Sequence, residues 1–149
     1  MALAAPWAVG CLSARPFVLV VEDVVGQRVL YRSPVTPGSQ LVLSYVHSSE
    51  HVPVRGTFVV ESDGALLAKE TAFGGFGPGL PEPKDGEAWR LENGMIVVAS
   101  AGQRFPELLL RVAPITGHRL RAPSGQEVDL SGLMGEGGRV RIHVRPFEP

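Results

Sequence analysis

Apolar residues recur along the chain at every second position or in short runs, and clusters of Gly, Pro, Asn, Asp and Ser separate those runs. The pattern predicts strands over Phe17 to Glu22, Arg28 to Arg32, Gln40 to His47, Val54 to Glu61 and Ala65 to Ala72. It predicts four more over Met95 to Ala99, Glu107 to Val112, His118 to Ala122 and Arg139 to Arg145. Short strands at intervals of about ten residues fit an all-β, single-domain antiparallel sandwich, with a partly open barrel as the alternative. No window carries apolar residues at helical spacing without a Gly or Pro inside it, so long helices are not expected, and a single turn near Leu130 to Met134 is the exception. Turn chemistry supports the breaks at Val25-Gly26-Gln27, Pro37-Gly38-Ser39, Ser62-Asp63-Gly64, Asn93-Gly94 and Pro123-Ser124-Gly125. Asn93-Gly94 is the strongest hairpin signal.

Alternation also assigns faces. In the last strand Val140, Ile142 and Val144 point one way and Arg139, Arg141, His143 and Arg145 the other, which predicts a basic outer face and a solvent-exposed His143. In the third strand Leu41, Leu43, Tyr45 and His47 share a face, opposite Val42, Ser44, Val46 and Ser48. His47 is therefore expected to be buried at the end of an apolar row, with both ring nitrogens satisfied.

Composition narrows the partners. A length of 149 residues, 44% of them hydrophobic, predicts one domain over 17–149, preceded by a short segment, 1–16, that reads as a remnant of a signal or anchor. With 14 basic and 15 acidic residues and no basic stripe, nucleic acid is not an expected partner. One cysteine, Cys11, leaves no intrachain disulfide and no cysteine-based zinc cluster. Ala8-Val9-Gly10-Cys11 resembles the small-residue region before a lipidated cysteine, so membrane association is expected only through an N-terminal anchor or lipidation of Cys11. No apolar run is long enough to span a bilayer. If the N-terminus acts as no signal, the expected location is the cytoplasm.

Two segments carry candidate chemistry. Gly74 to Gly86 is a long Gly/Pro-rich connection. Its glycine-dense part, Gly74 to Pro81, lacks the Lys and Ser/Thr of a phosphate-binding loop, and Pro78 and Pro81 remove donors. It reads as a surface loop whose glycines take positive φ, or as a ligand-covering loop with Phe76 and Leu80 as apolar contacts. The second segment, Tyr45-Val46-His47-Ser48-Ser49-Glu50-His51, is the densest polar cluster in the chain. His47, Glu50 and His51 are of metal-ligand type, but without a helix the i, i+4 spacing does not bring them onto one face. A serine nucleophile, Ser48 or Ser49 with His47 or His118 as base, lacks the strand-to-helix elbow and oxyanion signature of hydrolases. A turn capped by Ser48, Ser49 and Glu50 accounts for the same residues structurally.

These residues carry a resemblance. Tyr45-Val46-His47-Ser48-Ser49-Glu50, then Pro53-Val54, Phe58, Glu70-Thr71 and Phe73, followed by Phe76-Gly77-Pro78-Gly79-Leu80-Pro81, resemble the bacterial family known as domain of unknown function 1850. Its pattern is a Tyr-x-His-Ser-x-Glu strand end followed by a Phe-Gly-x-Gly-Leu-Pro loop. The chain departs from the family at Arg55 and Gly56, where acidic residues are usual, and at Pro78, where alanine is usual. Such proteins are often encoded beside membrane subunits of tripartite, TAXI-type TRAP transporters. The resemblance thus implies a non-enzymatic, extracytoplasmic (periplasmic) and membrane-associated binding or interaction domain, with a transporter membrane subunit, a solute-binding protein or a small solute as partner. No cofactor is expected, and no tightly held metal, because Arg55 and Gly56 stand where acidic residues are usual and the remaining candidate ligands sit on strand and turn positions that need not converge. The rival reading is a metal-dependent module or hydrolytic enzyme using His47, Glu50 and Glu70.

The hairpin logic locates the site. The Ser62-Asp63-Gly64 turn joins two antiparallel strands, so the segment before the first and the segment after the second lie at one end of the sheet. The expected ligand- or partner-binding residues are Tyr45, His47, Ser48, Glu50, Glu70, Phe76, Gly77, Gly79, Leu80 and Pro81, with the Phe76 ring beside His47 and Glu50.

Overall fold

The computed structural model describes residues 17–76, 78 and 82–148. The segment 1–16, with the expected anchor remnant and Cys11, lies outside the described residues, as do Gly77, Gly79, Leu80 and Pro81.

The strands are β1 (Phe17–Asp23), β2 (Arg28–Val35), β3 (Gln40–Val46), β4 (Pro53–Val60), β5 (Leu66–Phe73) and β6 (Trp89–Glu92). They continue with β7 (Met95–Ala99), β8 (Arg104–Phe105), β9 (Glu107–Val112), β10 (Arg119–Arg121), β11 (Glu127–Asp129) and β12 (Gly138–Pro146). All pair antiparallel, in two sheets. One has the order β2-β1-β12-β9, and the other runs β11-β10-β3-β4-β5-β7-β6 with β8 also paired to β5. This is the expected sandwich. The one α-helical turn, α1 (Leu130–Met134), is capped where Asp129 accepts the Gly132 N–H at 2.9 Å. Among the described residues no helix is long and apolar enough to cross a membrane.

The core follows from the alternation. Leu19 and Val21 of β1 and Val140 and Ile142 of β12 point inward from the small sheet and meet Leu41, Leu43, Val60, Leu66 and Leu120 of the large one. Because the large sheet is wider, Val54, Phe73 and Val98 form a second buried cluster beyond that core, packed with Tyr45 and Ile96. This mismatch in width creates the candidate site.

Three expectations are corrected. β6, β8 and β11 were not anticipated: each is two to four residues long, too short for periodicity to register, although Asn93-Gly94 does close the β6–β7 hairpin with φ of 51° and 75°. His143 is half-buried, because Glu22 on the neighbouring strand approaches its Nε2 to 3.2 Å, and Arg141 lies between Glu22 (3.3 Å) and Glu107 (2.9 Å) on the same face. His47 is also half-buried, since β3 ends at Val46 and the chain turns there toward solvent.

Candidate functional site

The strand registers place inward-facing residues in rows across the large sheet. One row reads His118, Tyr45, Val54, Phe73, Ile96, Leu91 from β10 to β6, with His118 one residue before β10. The next reads Leu120, Leu43, Gly56, Thr71, Val98, Trp89. Where the small sheet stops at its edge strand β9, these rows become the floor of a cleft of about 400 Å³, with Leu109, Leu110 and Arg111 as the opposite wall. Gly56 keeps the floor low, because a Cβ there would stand 3.0 Å from the Phe58 ring.

The best-built wall is His118. It is 6% exposed, and its ring stacks on Tyr45 with centroids 4.8 Å apart and planes 12° from parallel. Its Nδ1 lies 2.7 Å from the Thr116 hydroxyl, in the 3-10 turn Pro114–Thr116, and its backbone N–H donates to Ser131 Oγ at 2.8 Å. The single Thr116 hydroxyl proton can go to Nδ1 or to Ala113 O at 2.8 Å. Ala113 O already accepts from Ser131 Oγ (2.9 Å) and Thr116 N (3.2 Å), so the ring nitrogen is the better acceptor. The imidazole proton then sits on Nε2. Burial holds His118 below its ordinary pKa, in the neutral form, and burial likewise raises the Tyr45 phenol and keeps it protonated. Neither Nε2 of His118, nor the Tyr45 hydroxyl, nor the Thr71 hydroxyl has a hydrogen-bond partner among the described residues.

The expected meeting of turn and loop is present. The His47 backbone N–H donates to Val52 O (2.8 Å) and the His47 carbonyl accepts from His51 N–H (2.9 Å), closing the turn. His47 Nε2–H donates to Pro78 O at 3.0 Å, while Nδ1 accepts from Glu50 N (3.3 Å) and Ser49 Oγ (3.2 Å). Both nitrogens are thus occupied in tying the turn to the glycine-rich loop. His47 and Ser48 line the cleft at this end. Gly74 N donates to Pro53 O at 2.9 Å, and a Cβ on Gly74 would lie 2.8 Å from Pro53 Cδ. Of the described glycines of this connection, Gly86 takes positive φ (89°) as expected, and Gly74 and Gly75 do not. The loop needs these glycines for close approach to Val52 and Pro53, which corrects the conformational reason expected for them.

The structure divides the other expected residues. Phe76 packs edge-on against Phe73 at 6.0 Å and borders a different cleft, of about 760 Å³, formed with Pro83, Trp89, Leu91 and Ile96. It does not share a surface with His47 because the ring turns toward the β6–β7 edge. Glu50 is exposed, and its carboxylate lies 3.4 Å from Ser49 Oγ, whose single proton is also within reach of His47 Nδ1. Glu70 lies on the outer face of β5, the side opposite inward-facing Thr71, and pairs with Arg90 at 3.2 Å. His47, Glu50 and Glu70 therefore do not converge, and among the described residues no group of three or more His, Cys, Asp or Glu is placed to hold a metal ion.

His118, Thr71, Thr116, Gly56 and Arg111 line or shape the cleft without having been singled out as binding residues. One signal was legible: His118, Leu120 and Ala122 alternate, which puts His118 on the buried face of its strand. No curated protein and no solved structure matches the chain. A family model, described as Domain of unknown function (DUF1850), matches residues 41–130. That stretch contains every residue lining the inter-sheet cleft and excludes β1, β2 and β12. The chain belongs to this family of domains of unknown function.

Proposed function

We propose that this chain is a binding domain without catalytic activity of its own, holding a small molecule in the cleft between β9 and the inner face of β3, β4 and β5. The observation that carries the reading is the His118–Tyr45 pair: a nine-tenths buried imidazole, oriented by Thr116, walls the cleft and keeps one ring nitrogen without a protein partner among the described residues. That nitrogen is not one of the fully buried atoms, so it opens into the cleft, where a ligand can meet it. Enzymatic use of His47 is disfavoured because hydrogen bonds within the turn and loop occupy both its nitrogens. The family resemblance supplies the setting we adopt: an extracytoplasmic accessory to a tripartite transporter, whose membrane subunit or solute-binding protein would be the partner.

The test is a ligand-observed NMR screen of small solutes against the full chain and against Thr71→Phe, which fills the floor of the cleft. Solutes that bind the native chain and are lost in the folded variant support the reading. Absence of any binder, or binders indifferent to Thr71→Phe, would overturn it.

A further inference from the structure

The outer face of the large sheet carries a second, separate cleft, of about 330 Å³. Gln40 and Val42 of β3, Arg55 and Thr57 of β4, Glu70 of β5 and Arg121 of β10 line it, each alternating with inward-facing neighbours. The register sets Arg121, Val42, Thr57 and Glu70 in one row, with Arg55 two residues along β4 from Thr57. None of these residues lines the inter-sheet cleft.

Lys69 joins them through a break in the ladder. Thr57 pairs with Glu70 but Phe58 pairs with Ala68, so Lys69 is an extra residue on β5. Such a bulge re-aims a side chain that strict alternation would send elsewhere, and here Lys69 lines the outer cleft beside Glu70. The bulge is pinned: the Lys69 carbonyl accepts from Ser100 N–H at 2.8 Å, and Ala68 N–H donates to Gln103 O at 2.9 Å.

Three cations from three strands thus surround a low floor of Val42 and Thr57. Adjacent strands are about 4.8 Å apart, a step that Arg and Lys side chains are long enough to span. Arg55, Lys69 and Arg121 have no carboxylate partner among the described residues, whereas Arg28, Arg90, Arg104, Arg119 and Arg141 each have one. Glu70, the one carboxylate among the described residues lining the cleft, is engaged by Arg90 at 3.2 Å. Like charges gathered on one sheet face repel, and an anion held between them reverses that repulsion.

We infer that this outer cleft binds a doubly charged phosphoryl group, free or carried as a monoester on a small polar molecule. Cations arriving from three strands suit a compact group with three terminal oxygens, where a planar carboxylate is matched by a single guanidinium fork. The Thr57 hydroxyl and the Gln40 amide add uncharged donors. Val42 is the one aliphatic residue among the described lining, so the carrier has no apolar bed to lie on. The site does not depend on the inter-sheet cleft.

The experiment titrates inorganic phosphate, glycerol 3-phosphate and acetate calorimetrically into the full chain at pH 8, where the phosphoryl groups are mostly doubly charged. Phosphate or its ester should bind about tenfold or more tightly than acetate. Arg55→Gln and Lys69→Gln should each weaken that binding about tenfold with the melting temperature little changed. Arg145→Gln, which removes the same charge from an exposed position on β12, should leave it unaltered. Lys69 is exposed and Arg55 half-buried, so Lys69→Gln carries the test if Arg55→Gln does not fold. Binding of neither phosphate nor its ester, or affinity no greater than that of acetate, would overturn the assignment. Equal weakening by Arg145→Gln would overturn it too, by showing diffuse attraction to a charged surface.

Discussion

Tyr45, on β3, and His118, one residue before the neighbouring antiparallel strand β10, stack their rings at 4.8 Å, the only ring pair near parallel among the described residues. The stack closes one side of the cleft and ties the 3-10 turn to the large sheet. Replacing His118 by Ala removes the stack and leaves a cavity, while the Thr116 hydroxyl keeps Ala113 O as its acceptor, so unfolding should become easier by about 2–4 kcal/mol. His118→Phe should restore most of that by keeping the ring. Denaturant titration of the two variants checks this, and equal loss in both would show that the hydrogen bond and not the stack dominates.

The same burial makes stability pH-dependent. Desolvation holds folded His118 below its ordinary value of 6.5. In the unfolded chain it binds a proton near 6.5, so the folded state has its full stability above that pH and loses it as pH falls through the lower folded-state value. Urea unfolding between pH 7.5 and 5 should therefore show a decline that is shallower in His118→Phe, the other histidines cancelling in the difference. Parallel curves would contradict the burial argument.

A second acid-sensitive device sits at the β1–β2 turn. Asp23 Oδ1 accepts from Gly26 N at 2.9 Å and Val25 N at 3.1 Å, and Arg28 approaches Oδ2 at 3.3 Å. The Gly26 N–H does most to hold the carboxyl below its ordinary 3.8, with Arg28 and Val25 adding to it against burial. This contribution is complete above 3.8 and disappears as pH falls through the folded value. Asp23→Ala should lower stability at neutral pH and change it little in strong acid, as thermal unfolding at the two pH values would show.

His47 is a structural clip in this account. Substituting Ala removes the bond to Pro78 O and the acceptor for Glu50 N, and because the residue is half-exposed the cost should be only about 1 kcal/mol. The larger effect should be local: hydrogen exchange at Gly74 N should accelerate in His47→Ala more than at core amides of β1 or β12. Uniform acceleration throughout would mean that the turn is part of the global core.

Gly56 tests the floor of the cleft. A Cβ at this position meets the Phe58 ring, which is held edge-on to Phe105 at 6.2 Å. Gly56→Ala should destabilise by about 1–3 kcal/mol through overpacking and should also narrow the cleft. Unchanged stability by thermal denaturation would show that Phe58 yields easily.

Period-two alternation made β3 and β12 legible because each has one face in a dry core and one outside, β1 stood out as a short apolar run buried on both faces over Val18 to Val21, and the turn residues at Asn93-Gly94 and Ser62-Asp63-Gly64 placed two hairpins. Trp89-Arg90-Leu91-Glu92 alternates too, but all four residues are exposed, so no burial pattern distinguishes the strand from a loop. The meeting of His47 with the glycine loop followed from hairpin topology, a relationship between neighbours in sequence. The separation of Phe76 from His47, and the joining of His118 to Tyr45, depend on side-chain direction and on pairing across 73 positions, which composition and spacing do not carry. Likewise His143 reads as exposed until β1 brings Glu22 beside it.

Chemical-shift mapping of a bound small solute on the isotopically labelled full chain tests the central claim most directly, because the two clefts are lined by different residues. The account predicts the largest perturbations at Leu43, Tyr45, Gly56, Thr71, Arg111 and His118, saturating together. Perturbations centred on Trp89, Leu91 and Lys84, with the His118 signals unmoved, would contradict it and place binding at the β6–β7 edge.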